Sequence, residues 1–227
     1  MSNERKLVIA IDGPAGAGKS TIASRLARKF DYIHLESGAM YRALALKAIE
    51  RDIGFDDEPA LLDLAQRINI ELQPRLDGNR VLLDTRDVSA RIRERDVTEA
   101  ASKVSVHPRV REWMVAQQQK MGEQGGIVME GRDIGTKVFP NAEVKIFLEA
   151  DPNVRMERRL KQREAHPDQA ARIAAELADR DHRDSTRAAS PLVPAPDAVI
   201  VDSTHLTIDA VIDRAEEIVR KALASRR

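Results

Sequence analysis

Cysteine is absent from the 227 residues, which excludes disulfides and thiolate metal sites and suits a reducing compartment. Aromatic residues make up only 3%, too few for the stacking platforms that grip single-stranded nucleic acid. Neither sign of charge predominates: 37 Lys and Arg balance 37 Asp and Glu, so no molecule-wide field draws in nucleic acid or anionic lipid. Any positive site must be local. Long apolar runs are missing too, since the run near the start, Leu7 to Ile11, is far too short for a signal-peptide core or a membrane span. The expectation is a cytoplasmic protein with neither a nucleic-acid nor a membrane partner.

What is present, 42% hydrophobic and 33% charged residues, suits a helix-rich globular protein. The length fits one domain with insertions. Leu7 to Ile11 reads as a buried strand that ends at Asp12-Gly13-Pro14, and Ile22, Leu26 and Phe30 at i, i+4, i+8 mark the helix that follows. A second strand, Tyr32 to Leu35, leads through Glu36-Ser37-Gly38 into a helix carrying Met40, Leu44 and Ala48. Between about Arg67 and Arg93 the pattern alternates, breaks at Pro74 to Asn79 and resumes at Val81 to Leu83, predicting a small antiparallel insertion. Helical spacing then runs from about Val97 to Met121, followed by strands at Ile127 to Met129 and Val144 to Leu148. Asp151-Pro152 opens an arginine-dense helix, turn and helix as far as Ala189; Ala198 to Val201 is a last strand and Ile208 to Leu223 a closing helix.

Gly13-Pro14-Ala15-Gly16-Ala17-Gly18-Lys19-Ser20 fits G-x-x-x-x-G-K-[ST] directly after a strand and opening a helix. In such a loop the backbone amides turn inward on phosphate, the lysine reaches the β and γ oxygens and the Ser20 hydroxyl can ligate Mg²⁺. Thr21 belongs to the same ATP-binding stretch. A flexible Gly-Ala turn that happens to precede a lysine would be the bland alternative, and the strand-loop-helix context argues against it. No Asn is followed by Lys and no Asp stands three residues before a Gly, so the signatures of a regulatory GTPase are missing.

A phosphotransferase needs a second anionic substrate opposite the loop, held by arginines under a cover that excludes water. Ser37, Gly38 and Arg42 leave the second strand where ligands of open α/β sheets bind. Arg132 and Asp133 leave another strand by the same geometry, the first suited to a phosphate and the second to a base edge. Arg180, Arg183, Asp184 and Arg187 fall at i, i+3, i+4 and i+7 and share one helix face. Solvated ion pairs on a helix surface would also give that spacing. The histidines show no metal-ligand spacing.

These residues carry a resemblance. Ile11 to Ser20, Glu36 to Arg42, Ala101-Ser102, Pro108 to Glu112, Gly131 to Pro140, Arg180 to Ala188, Pro191 to Pro194 and Asp202-Ser203-Thr204 together resemble the bacterial cytidylate kinases across nearly the whole chain. The resemblance implies a three-layer α/β P-loop kinase fold: a core at 1–36, 98–153 and 190–227 with a central parallel sheet, a monophosphate-binding subdomain at 37–97 with a small antiparallel sheet, and a helical lid at 154–189. It implies ATP with Mg²⁺ as donor, CMP or dCMP as acceptor, and a monomer. It further implies that Ser102, Arg111 and Asp133 contact the cytosine and that Ser37, Arg42 and Arg132 lie near the acceptor phosphate, with Tyr41 in the same pocket. Asp184 and Arg180 would take the sugar side, Arg187 the phosphate, and Arg159 and Arg183 the triphosphate during transfer, beside the catalytic Lys19 and Arg132.

The chemistry agrees with that allocation. Cytosine offers an amine donor beside ring acceptors, so a carboxylate can accept from the amine while Arg111 and Ser102 serve the acceptor edge. A phosphate acceptor is already ionised at neutral pH, so no general base is expected. A kinase for another monophosphate such as UMP, and a non-catalytic nucleotide-binding module, remain as alternatives.

Overall fold

The computed structural model describes residues 6–75, 78–162 and 166–225. At its centre is a five-stranded parallel sheet in the order β2-β6-β1-β7-β8. Its strands are β1 (Val8–Asp12), β2 (Ile33–Glu36), β6 (Ile127–Gly131), β7 (Val144–Glu149) and β8 (Val199–Asp202). Parallel strands need crossovers, and helices supply them on both faces. In and beside β1 the side chains alternate: Leu7, Ile9 and Ile11 pack with helices α1 (Lys19–Phe30) and α8 (Ile208–Ala224), while Val8 and Ala10 face the opposite layer. Burial on both faces is why this strand reads as a continuous apolar run rather than an alternating one.

The opposite layer holds α2 (Ser37–Glu50), α3 (Glu58–Arg67), α4 (Arg95–Val104) and α5 (Pro108–Met121). Two of these depart from the expected pattern. The helical spacing read as one helix from Val97 to Met121 is two helices, because Pro108 forces His107 into extended backbone, with φ −72° and ψ 120°. Helix α3 was not anticipated, although its start is signalled: the Asp57 side chain accepts from the Ala60 amide at 3.0 Å and Pro59 occupies the first turn.

The antiparallel insertion consists of β3 (Ile70–Arg75), β4 (Gly78–Leu83) and β5 (Arg86–Asp87), and the tip of its expected turn, residues 76–77, lies outside the described residues. Asn79 of β4 ties the insertion to the main sheet. Its Nδ2 donates to the His34 carbonyl at 2.7 Å and its Oδ1 accepts from the Glu36 amide at 2.9 Å, so one side chain mimics a neighbouring strand at the edge of β2. Helices α6 (Pro152–Gln162) and α7 (Ala170–Thr186) form an antiparallel arm over the carboxyl ends of the strands.

Candidate active site

The site lies at those carboxyl ends, where β1, β2, β6 and β7 release their loops. β1 releases the glycine-rich loop into α1. Gly13 is held against β7 so closely, at φ 145°, that a Cβ would stand 2.1 Å from the Leu148 carbonyl oxygen. Gly18 takes φ 99° as the residue before α1, a left-handed conformation that turns the loop into the helix. Lys19 is buried and donates to the Pro14 carbonyl at 2.7 Å, folding over the loop. Burial and the nearby Arg132 guanidinium push its ammonium well below the ordinary lysine range, with Glu130 opposing them. Ser20 and Thr21 follow on the exposed first turn of α1.

Two arginines missed as structural parts of this loop brace it from outside. Arg155 of α6 donates from Nη1 to the Ala15 carbonyl at 3.1 Å and pairs with Asp181 of α7. Arg158 donates to the Ala17 carbonyl at 3.3 Å and to the Ser203 carbonyl at 2.7 Å. Sequence spacing grouped both with the arginines of the arm, but a motif cannot show that a guanidinium is committed to loop carbonyls.

Across from the loop, charged side chains converge in pairs. Arg42 of α2 pairs with Glu36, which also accepts from Arg93 at 3.2 Å. Burial works against the Glu36 charge, yet Arg42 and Arg93 outweigh it and hold the carboxyl at about 2. Ser37 Oγ donates to the Glu130 carbonyl at 2.7 Å, and its approach leaves no room for a Cβ at Gly131. Arg132 donates from Nε to Asp184 at 2.8 Å, and Arg187 approaches the other Asp184 oxygen at 3.5 Å. Burial alone would raise the Asp184 carboxyl, but Arg132, Arg180 and Arg187 hold it below the usual range. Arg180 itself is brought down to about 9 by burial and the neighbouring Arg132.

Deeper in the site, Arg111 of α5 pairs with Asp133, donates to the Ser105 carbonyl at 3.0 Å and lies over the Tyr41 ring at 5.4 Å. Burial, reinforced by Asp133, pushes the Tyr41 hydroxyl up to about 12, against the pull of Arg111. Ser102 is buried on α4, and its Oγ accepts from Arg183 Nε at 3.0 Å. Arg183, expected over the triphosphate, is instead engaged with Ser102 in this arrangement. Arg159 donates to Gln162 at 2.7 Å and acts electrostatically on Arg180.

Several buried donors here have no hydrogen-bond partner: Tyr41 Oη, Arg42 Nε, Arg111 Nε, Arg180 Nε and Arg187 Nη2. Native proteins rarely leave such groups unmade, so their gathering at one site marks where a polar ligand belongs. Among the described residues, no group of three or more His, Cys, Asp or Glu could hold a metal ion. Mg²⁺ commonly takes one or two protein ligands and completes its shell with phosphate and water oxygens, so the exposed Ser20 hydroxyl beside Lys19 suits a metal delivered with a nucleotide.

A glycine-rich phosphate loop opposite an arginine-lined acceptor pocket, on a parallel sheet of this order, defines a P-loop phosphotransferase. A solved gluconokinase from Sinorhizobium meliloti 1021 shares the fold, with a TM-score of 0.50 and 14% identity, covering 98% of this chain and 96% of that one. The cytidylate kinase family model matches residues 9–221, and the chain belongs to that family. It is 47% identical over 222 residues to a cytidylate kinase from Geobacillus kaustophilus (strain HTA426), covering 97% of this chain and 99% of that protein. A cytidylate kinase from Enterococcus faecalis (strain ATCC 700802 / V583) is 46% identical over 95% of this chain and 96% of its own. One from Solibacter usitatus (strain Ellin6076) is 46% identical over 100% and 97%.

Proposed function

We propose that this protein transfers the γ-phosphoryl group of ATP to CMP or dCMP, giving ADP and CDP or dCDP. The observation that carries the acceptor half is the set of buried donors without a hydrogen bond on Tyr41, Arg42, Arg111, Arg180 and Arg187, beside the Arg111–Asp133 pair. Those donors suit a phosphate, a sugar and the acceptor edge of a base, and the Asp133 carboxylate suits an exocyclic amine. Uracil would present a carbonyl to that carboxylate, so the site rejects it by repulsion.

In this reading residues 37–97 form the acceptor-binding subdomain, 154–189 the lid and the remainder the core. Gly13 to Thr21 hold the triphosphate, and Ser37, Arg42, Arg132 and Arg187 hold the acceptor phosphate. Asp184 and Arg180 take the sugar, and Ser102, Arg111 and Asp133 read the base. Lys19, Arg132, Arg159 and Arg183 neutralise charge on the migrating group, which requires Arg183 to leave Ser102 as the lid closes. Ser20 would hold Mg²⁺, which when bound supplies charge neutralisation on the phosphate oxygens. We place the protein in the cytoplasm as a monomer without a nucleic-acid partner.

An ADP-release assay over CMP, dCMP, UMP and AMP tests the reading: turnover with the two cytidylates is expected, and turnover with UMP or AMP but not CMP overturns it. Asp133→Ala is expected to lower kcat/KM for CMP about 100-fold while the KM for ATP stays within about threefold.

A further inference from the structure

Asp12 ends β1 and directly precedes the phosphate loop, and the reaction as described gives it no part. Its carboxylate is nonetheless buried and fully engaged. Oδ1 accepts from the Ile134 amide at 2.8 Å and Oδ2 from the Gly135 amide at 2.7 Å. These two amides open the single π-helical turn Ile134–Val138, which the Asp133 carbonyl closes by accepting from Lys137 at 2.8 Å and Val138 at 3.2 Å. At the start of any helical turn such amides lack partners within the turn and need a cap.

Asp133 stands in the capping position. An aspartate there ordinarily turns its side chain back onto the amides that follow. Asp133 makes no such bond; its Oδ2 accepts from Arg111 instead. The cap comes from the neighbouring strand, where Asp12 pairs in register with Gly131. A Cβ at Gly135 would stand 3.4 Å from Asp12 Oδ2, an ordinary contact, and 3.2 Å from the Lys145 side chain.

We propose that Asp12 is a positioning residue: by capping the turn after Asp133 from β1, it keeps the Asp133 carboxylate free to face the amine of a cytosine base. Without that cap, Asp133 is the nearest carboxylate able to satisfy the Ile134 and Gly135 amides, and doing so withdraws it from the base. Burial raises the Asp12 carboxyl to about 6 against the pull of the two amides and of Lys19, with Asp133 adding to the rise. Asp12 is therefore mainly ionised, and an acceptor only, at neutral pH. The proposal rests on the cytidylate reading of the site.

The test is the CMP to UMP ratio of kcat/KM in the parent, Asp12→Asn, Asp133→Ala and the double variant. Asparagine keeps the volume and one acceptor but turns an amine toward the second backbone donor. Asp12→Asn is expected to lower the ratio about tenfold and leave the KM for ATP within about threefold. In the Asp133→Ala background it is expected to leave the ratio unchanged, because Asp12 acts through Asp133. An equal rise in the KM values of CMP and ATP with the ratio intact, or an undiminished effect of Asp12→Asn beside Asp133→Ala, overturns the proposal.

The unmutated protein supplies a second measurement. Titration of the acceptor phosphate is common to both substrates and cancels in the ratio, so the ratio should fall as pH drops below about 6. The charged groups around Asp12 are Lys19 of α1 and Asp133 after β6, with the Lys145 stem of β7 against Gly135. A ratio that holds steady from pH 7.5 to pH 5.5, values chosen to bracket about 6, counts against the proposal. A parent that turns over UMP but not CMP defeats the functional reading itself; a CMP-selective parent whose Asp12→Asn variant is equally selective defeats only the role of Asp12.

Discussion

The proposed donor and acceptor halves of the site would bind the same chemical group by opposite means. Gly13 to Ser20 form one contiguous stretch of mainly small residues whose working parts are amides, with Arg155 and Arg158 bracing its carbonyls. The proposed acceptor half draws on α2, α4, α5, α7 and the loop after β6, and its working parts are guanidiniums that already have carboxylate partners. Glu36 takes Arg42, Asp133 takes Arg111, and Asp184 takes Arg132, with Arg187 at 3.5 Å and Arg180 at 4.0 Å. Amides carry only partial charge and can wait in a loop without a counter-ion. A buried guanidinium cannot, because an uncompensated charge in a poorly solvated site costs several kcal/mol. The carboxylates are therefore what lets an arginine-rich pocket persist before a phosphate arrives.

The strongest way to break this comparison is to remove Lys19, the one ionisable side chain within the Gly13 to Ser20 loop itself. Lys19→Ala is expected to lower kcat by about 1,000-fold, since phosphoryl transfer depends almost wholly on positioning and charge neutralisation. If the halves are independent, the dissociation constant for CMP, measured calorimetrically without ATP, should move by less than about threefold. A parallel loss of CMP binding would show that the two halves form one electrostatic unit.

Glu36→Gln sharpens the comparison on the other side and has a smaller effect. With the carboxylate gone, Arg42 and Arg93 lose their partner and the acceptor phosphate loses a competitor. The KM for CMP is expected to fall by about threefold, at the expense of stability. The sign follows from the carboxyl held at about 2, below its ordinary 4.5. A depressed acid stabilises the fold above its unfolded value and loses that contribution as pH falls through its folded value. The stability difference between parent and variant in denaturant should therefore shrink from pH 5 toward pH 2, across the window between about 4.5 and about 2. A difference independent of pH there would mean that Glu36 acts by shape rather than charge.

The same contrast explains what the sequence revealed. A contiguous motif between a strand and a helix announces the donor half, because the amides that do the work are tied to glycines at fixed spacing. The sheet was also legible, since burial on both faces writes strands such as Val8–Asp12 and Val144–Glu149 as apolar runs. Boundaries slipped where one residue overrode the periodicity, as Pro108 did between α4 and α5. The acceptor half is scattered over the chain, and only family resemblance placed Ser102 and Arg111 together. No local pattern could show that Asp12 caps a turn 122 residues later, or that Asn79 imitates a strand beside β2. Nor could spacing alone separate Arg155 and Arg158, committed to loop carbonyls, from the arginines that face the site.

The smallest expected effect belongs to the rim, where α4 meets the arm. Arg95 Nε lies 3.0 Å from Glu176 of α7 and 2.7 Å from Glu99 of its own helix, and its side chain is 51% exposed. Water and salt screen a pair this exposed, so it contributes about 0.5 kcal/mol or less, unlike the buried pairs beneath it. Arg95→Ala is expected to raise the KM for CMP by no more than about twofold at low salt, and the difference should vanish as the Debye length contracts to about 3 Å in 1 M salt. Titrating ionic strength in parent and variant checks this. Because the contact joins the proposed acceptor subdomain to the proposed lid, a large effect surviving high salt would mean that the rim latches the arm shut. Charge placement outside the pocket would then matter as much as the carboxylates within it.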